Sequence, residues 1–106
     1  MTGLRLDKWL WFARFARTRS LAQKLCTTGS VTVAGSVVLK PGHLLHVGDS
    51  VGVRQGRVLR QVTVLALGVR RGAPAEARLL YAEPAPPVSL AAAERAEWLP
   101  LIDEAQ

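Results

Sequence analysis

Carboxylates are nearly missing from the first two-thirds of this 106-residue sequence. Between residues 1 and 71, twelve Lys and Arg side chains face only Asp7 and Asp49, leaving a net +10. Within residues 18–42 Arg19, Lys24 and Lys40 have no acidic neighbour at all. Residues 72–106 reverse the balance, with Arg78 and Arg95 against Glu76, Glu83, Glu94, Glu97, Asp103 and Glu104, so that the whole carries +6. A basic body with an acidic end predicts a polyanionic partner, and charge alone leaves nucleic acid, an anionic membrane surface and an acidic protein open. With so few acids before residue 76, no paired-carboxylate, nucleophile–base or metal-assisted site can be assembled, which predicts a non-enzymatic protein.

Other absences narrow the field. The single cysteine, Cys26, cannot form an internal disulfide, and a reducing compartment follows. His43 and His46 stand three apart without thiol partners, so neither metal nor cofactor is expected. No run approaches the ~20 apolar residues of a membrane span, and the start "MTGLRLDKW" lacks the apolar core of a signal peptide. The expectation is a cytoplasmic protein with no membrane partner. The nine glycines never take phosphate-loop spacing.

What is present reads as an α+β domain, two short N-terminal helices packed on a small, mainly antiparallel sheet. At 3.6 residues per turn, Leu6, Trp9, Leu10 and Ala13 form one stripe of a helix over residues 6–15, with Asp7 at its positive end. A second helix starts after "ART", capped by Thr18 or by Ser20 with Gln23 in capping-box spacing, and Gly29 suits a left-handed stop. Leu21, Ala22, Leu25 and Cys26 are its apolar side. The period then drops to two. "SVTVAGSVVL" predicts a hairpin turning at Ala34-Gly35, "LLHVGDSVGV" repeats that pattern across Val47-Gly48-Asp49, and "RVLRQVTVLALGV" predicts a longer strand. A loop from Arg70 leads to an apolar segment around Leu79, Leu80 and Tyr81. Pro84, Pro86 and Pro87 then close the body, giving a domain over 1–84 and a Pro/Ala-rich linker with an acidic C-terminal helix over 85–106.

The candidate site lies in the first forty residues. Arg5, Lys8, Arg14, Arg17, Arg19, Lys24 and Lys40 predict a surface that meets several phosphates, with Thr18 and Gln23 adding neutral hydrogen bonds. Such a shallow basic face suits structured RNA, whose A-form major groove is too narrow for a helix. Trp9 belongs to the core. Trp11 and Phe12 leave the apolar stripe and either pack beneath the sheet or stack on an unpaired base, Trp11 being counted with the RNA-binding set. Asp7 reads as an N-terminal dipole partner or as a strut that orients an arginine such as Arg19, and Cys26 as a small core residue.

The order "RLDKWLWFARFARTRSLAQKLCTTGSVTVAG", followed by "KPG" and "VGDSV", resembles the RNA-binding domain first recognised in ribosomal protein S-four. Its double Trp, together with "VLALGVRRGAPAEARLLYAE", is similar to the bacterial heat shock protein fifteen family. The resemblance implies a non-enzymatic protein that binds rRNA of the free large ribosomal subunit carrying a stranded peptidyl-tRNA; a monomer is expected. It implies a role in returning such subunits to use. Two departures stand out: the family's C-terminal segment is rich in Lys and Arg whereas residues 72–106 are acidic here, and Ala34 replaces the usual Asn of the hairpin turn. The alternative readings are a generic RNA-binding or ribosome-assembly factor, or a protein-interaction module regulated by its acidic end.

Overall fold

Helix α1 (Leu6–Phe12) is too short to persist alone, and chain from elsewhere closes its N-terminus. In the computed structural model, which describes residues 3–89, no side chain caps this helix. Instead Leu6 N–H donates to the His43 carbonyl at 2.8 Å and Asp7 N–H to the Pro41 carbonyl at 3.1 Å. The Lys40-Pro41-Gly42 loop is thereby fixed against the start of α1. Strand β1 (Leu4–Arg5) leads into that helix and pairs antiparallel with β4 (Leu44–Leu45).

Helix α2 (Arg19–Thr27) is capped by Thr18, whose hydroxyl accepts from Leu21 N–H at 3.1 Å. The Ser20–Gln23 capping box is not used, because Gln23 reaches Asp7 instead. Both helices end in a Schellman motif, the reach-back of two N–H groups across a left-handed residue. In α2, Gly29 N–H bonds the Cys26 carbonyl and Ser30 N–H the Leu25 carbonyl, around Gly29 at φ 76°. In α1, Arg14 N–H bonds the Trp11 carbonyl and Phe15 N–H the Leu10 carbonyl, around Arg14 at φ 63°. The helix expected over residues 6–15 therefore stops at Phe12, and Phe15 folds back into the core.

The main sheet runs β3 (Ser36–Val37), β2 (Val31–Val33), β5 (Ser50–Gln55), β6 (Val58–Val64), β7 (Tyr81–Ala82), all antiparallel. The β2–β3 hairpin turns at Ala34-Gly35, both at positive φ (53° and 83°), as a type I′ turn requires. The turn at residues 46–49 does not join a second hairpin. Asp49 accepts from His46 N–H through its carboxylate and redirects the chain from β4, paired to β1, into β5, paired to β2 and β6. The loop expected after Arg70 contains a short helix α3 (Pro74–Ala77) and a 3₁₀ turn at Arg78–Leu80. After the proline run, strand β8 (Val88–Ser89) pairs with Leu59 and Val58 of β6, so β7 and β8 share one edge of that strand. The acidic helix expected further on lies outside the described residues.

Between helices and sheet lie Leu6, Trp9, Leu10, Phe15, Ala22, Cys26, Val31, Leu45, Val51, Val53, Val62 and Val64. Trp9 is fully buried, and its indole N–H donates to the Ala66 carbonyl at 3.0 Å. Its ring stacks on Phe15 at 5.8 Å, and Phe15 meets Tyr81 at 5.1 Å. Arg60 covers this aromatic group, with its guanidinium 4.7 Å from the Phe15 ring and paired to Glu83 at 2.9 Å. Because Ala34 is an L-residue in the left-handed region, Ala34→Asn is expected to stabilise the fold by about 0.5–1 kcal/mol. Thermal unfolding followed by tryptophan fluorescence should show a higher midpoint.

Candidate nucleic-acid interface

The site is organised by a carboxylate with no exposed surface. Asp7 sits in the first turn of α1 with its side chain fully buried. Arg5 grips it bidentately, Nε to Oδ1 and Nη2 to Oδ2, each at 3.1 Å. Gln23 donates its amide to Oδ2 at 3.2 Å, Arg19 Nη2 approaches the same oxygen at 3.4 Å, and Lys8 N–H donates to Oδ1 at 2.8 Å. Burial pushes the Asp7 carboxyl up. The Arg5 and Gln23 hydrogen bonds and the Arg19 and Arg5 charges outweigh that push and hold it below the ordinary carboxylate range. The Arg5 and Arg19 side chains stay partly open to solvent, at 50% and 38% exposure, so the buried charge holds two cationic side chains at the surface. Arg19 Nε is itself buried without a hydrogen-bond partner, so the fold leaves part of Arg19's donor capacity unspent.

Only part of the sequence-derived set gathers here. Arg5, Arg19 and Gln23 converge on Asp7, and the loop carrying exposed Lys40 packs beside Arg5, whose guanidinium carbon lies 3.9 Å from where a Cβ on Gly42 would be. Thr18 spends its side-chain oxygen on the helix cap. Lys24 falls ~140° around α2 from Arg19, given ~100° per residue, and with exposed Arg17 lines a groove on the other side of that helix. Lys8 lies over the Phe12 ring at 5.6 Å.

Trp11 and Arg14 form a third group. Arg71 lies over the Trp11 ring at 5.6 Å while its Nε donates to the Trp11 carbonyl at 3.1 Å, and Arg14 Nε donates to the Gly72 carbonyl at 2.8 Å. Phe12 is buried, which settles it as a packing residue. Two cations that sequence reasoning left out therefore matter: Arg71 on Trp11, and Arg54 on the groove shared by Arg17 and Lys24. The Arg70-Arg71 pair was visible as a motif, but nothing local announces a contact across sixty residues. Cys26 is buried, and burial followed by the nearby Asp7 charge pushes its thiol up to about 11, so it stays a protonated core residue. Among the described residues there is no cluster of His, Cys, Asp and Glu that could hold a metal, and no helix long and apolar enough to cross a membrane.

Residues 4–51 match the S4 domain family. The chain is 36% identical to the heat shock protein 15 of Vibrio cholerae, whose structure is trimeric, with a TM-score of 0.75 over 90% of this chain and 93% of that one. It is 43% identical over 81 residues to a heat shock protein 15 homologue of Haemophilus influenzae, covering 76% of this chain and 60% of the relative. A protein of Halalkalibacterium halodurans named RQC P-site tRNA stabilizing factor is 38% identical over 61 residues, 58% of this chain and 68% of that one. The chain thus spans about three-fifths of the length of the curated heat shock protein 15 relatives it matches.

Removing the Asp7 charge strands two arginines and an amide. Since the arginines left behind are partly solvated, Asp7→Ala is expected to cost about 1–3 kcal/mol in chemical denaturation, the range for losing hydrogen bonds to a charged group. Because the folded carboxyl titrates below its unfolded value of about 3.9, its contribution is complete above that pH and is lost as pH falls through the lower folded value. Asp7→Asn should flatten this acid limb of the stability curve.

Proposed function

The chain belongs to the heat shock protein 15 family, and from that premise we propose that it binds structured RNA without catalysing a reaction. We take its target to be rRNA of the large ribosomal subunit, in the rescue and recycling of free large subunits that carry stranded peptidyl-tRNA. The observation that carries this reading is the Asp7 anchor. A fully buried carboxylate immobilises Arg5 and Arg19 beside the Lys40 loop, a preorganised cationic surface of the kind that positions a protein on phosphates. Asp7 is committed to that strut and so is not free as a catalytic acid or base. The name of the Halalkalibacterium halodurans relative, which refers to tRNA in the P site, supports the ribosomal setting. A cytoplasmic location follows from the same target.

We also keep a monomer as the state in solution. The trimeric Vibrio cholerae relative supplies the alternative, and sedimentation equilibrium separates 11.5 kDa from three times that mass.

In cell extracts on a low-salt gradient, the tagged full-length protein is expected to co-migrate with free large subunits. Migration at the top of the gradient overturns the ribosomal assignment. With purified rRNA fragments, contact with about five to seven phosphates predicts a log–log salt slope of several units, and a nearly flat response counts against RNA binding altogether. Lys40→Ala, which touches none of the folded contacts described above, should lower that slope by about one.

A further inference from the structure

Helix α2 presents two different surfaces. Arg19 and Gln23 face Asp7, whereas Leu21, Lys24, Leu25 and Thr28, spaced i, i+3, i+4 and i+7, line the opposite side. That side forms one wall of a groove of about 550 Å³, whose other wall is the end of β5 and its turn at Arg54, Gln55 and Gly56. The volume falls within the ~300–1,000 Å³ of small-ligand pockets. Its apolar part is built from Leu21 and Leu25 over the buried Phe15, and Leu21, in the first turn of α2, remains 45% exposed. Its rim is cationic. Arg17, Lys24 and Arg54 surround the floor, and none of the three forms an ion pair among the described residues. Gln55 closes one end, its side-chain amide donating to the Phe15 carbonyl.

We propose that this groove holds an unpaired nucleotide of the bound RNA, the base on the apolar floor and its phosphate on the Arg17–Lys24–Arg54 rim. The chemistry matches in both halves. A duplex offers phosphates but hides its base faces, so a continuous helix leaves the Leu21 floor uncovered. A flipped-out nucleotide presents one flat apolar face and one negative charge within a single residue. Because every base has such a face, the site tolerates base identity and reads the presence of a bulge or loop. The inference rests on the RNA-binding reading and extends it, since the RNA would then contact both sides of α2: phosphates at Arg5, Arg19 and Lys40, and one extruded nucleotide behind them.

The test uses the full chain and two RNA probes, a hairpin and the same hairpin with one unpaired uridine. Wild-type protein is expected to prefer the bulged probe about tenfold, from burying one base face against Leu21 and Leu25. Leu21→Ser and Arg54→Ala, both at exposed positions, should remove most of that preference. Lys40→Ala should weaken both probes and keep it. Equal affinity of the wild type for the two probes, or a preference that survives Leu21→Ser, overturns the nucleotide site while leaving RNA binding intact; binding to neither probe overturns both. A carbodiimide cross-link from Lys24 to Glu94 or Glu97 that persists when the bulged probe is added assigns the groove to the chain's own acidic segment and also overturns the proposal.

Discussion

Much of this structure depends on one buried charge. Asp7 is the only carboxylate in the first forty-eight residues, and it is buried where Arg5 and Arg19 converge. Burying a carboxylate is costly unless its lone pairs are filled, and five donors fill them: two from Arg5, one each from Arg19 and Gln23, and the Lys8 amide. The same contacts join β1 and α1 to α2. What the interior gains as a satisfied ion group, the exterior gains as two guanidinium groups whose rotamer freedom is already spent before any ligand arrives.

The helix pair divides its labour by angle. On α2, Ala22 and Cys26 face the core, Arg19 and Gln23 lean toward Asp7, and Leu21, Lys24, Leu25 and Thr28 look the other way. A nine-residue helix can serve three surfaces because its ends are fixed independently, by the Thr18 hydroxyl at one and by left-handed Gly29 at the other. Little of its helicity depends on propensity.

Local chemistry was legible in the sequence. The Gly29 stop, the Ala34-Gly35 turn, the buried Trp9 and the strut role of Asp7 each follow from a few neighbouring residues and appear as expected, and of the two N-cap candidates, Thr18 and Ser20, Thr18 is the one used. What escaped were pairings chosen by tertiary contact. Leu44 and Leu45 alternate as well with β5 as with anything, but β1 takes them because the Pro41 and His43 carbonyls are already bound to the start of α1. The early end of α1 was equally hidden, since Arg is a poor left-handed residue and its side chain finds its partner far along the chain, at the Gly72 carbonyl. The candidate site was legible as a list of cations and illegible as an arrangement: periodicity places Lys24 away from Arg19, but it cannot reveal that Arg54 or Arg71 comes to meet the helices.

The closure of α1 by downstream chain has a consequence for synthesis. Its first N–H groups bond carbonyls of residues 41 and 43, its Trp9 indole bonds residue 66, and the turn at its end is tied to residues 71 and 72. A chain made from its N-terminus therefore exposes an unfinished helix flanked by basic residues until most of the sheet has been translated. During that interval Arg5, Arg14 and Arg19 are unanchored charges on a nascent polymer surrounded by ribosomal RNA. Completing the fold is what converts them from promiscuous polycation into a surface of fixed shape.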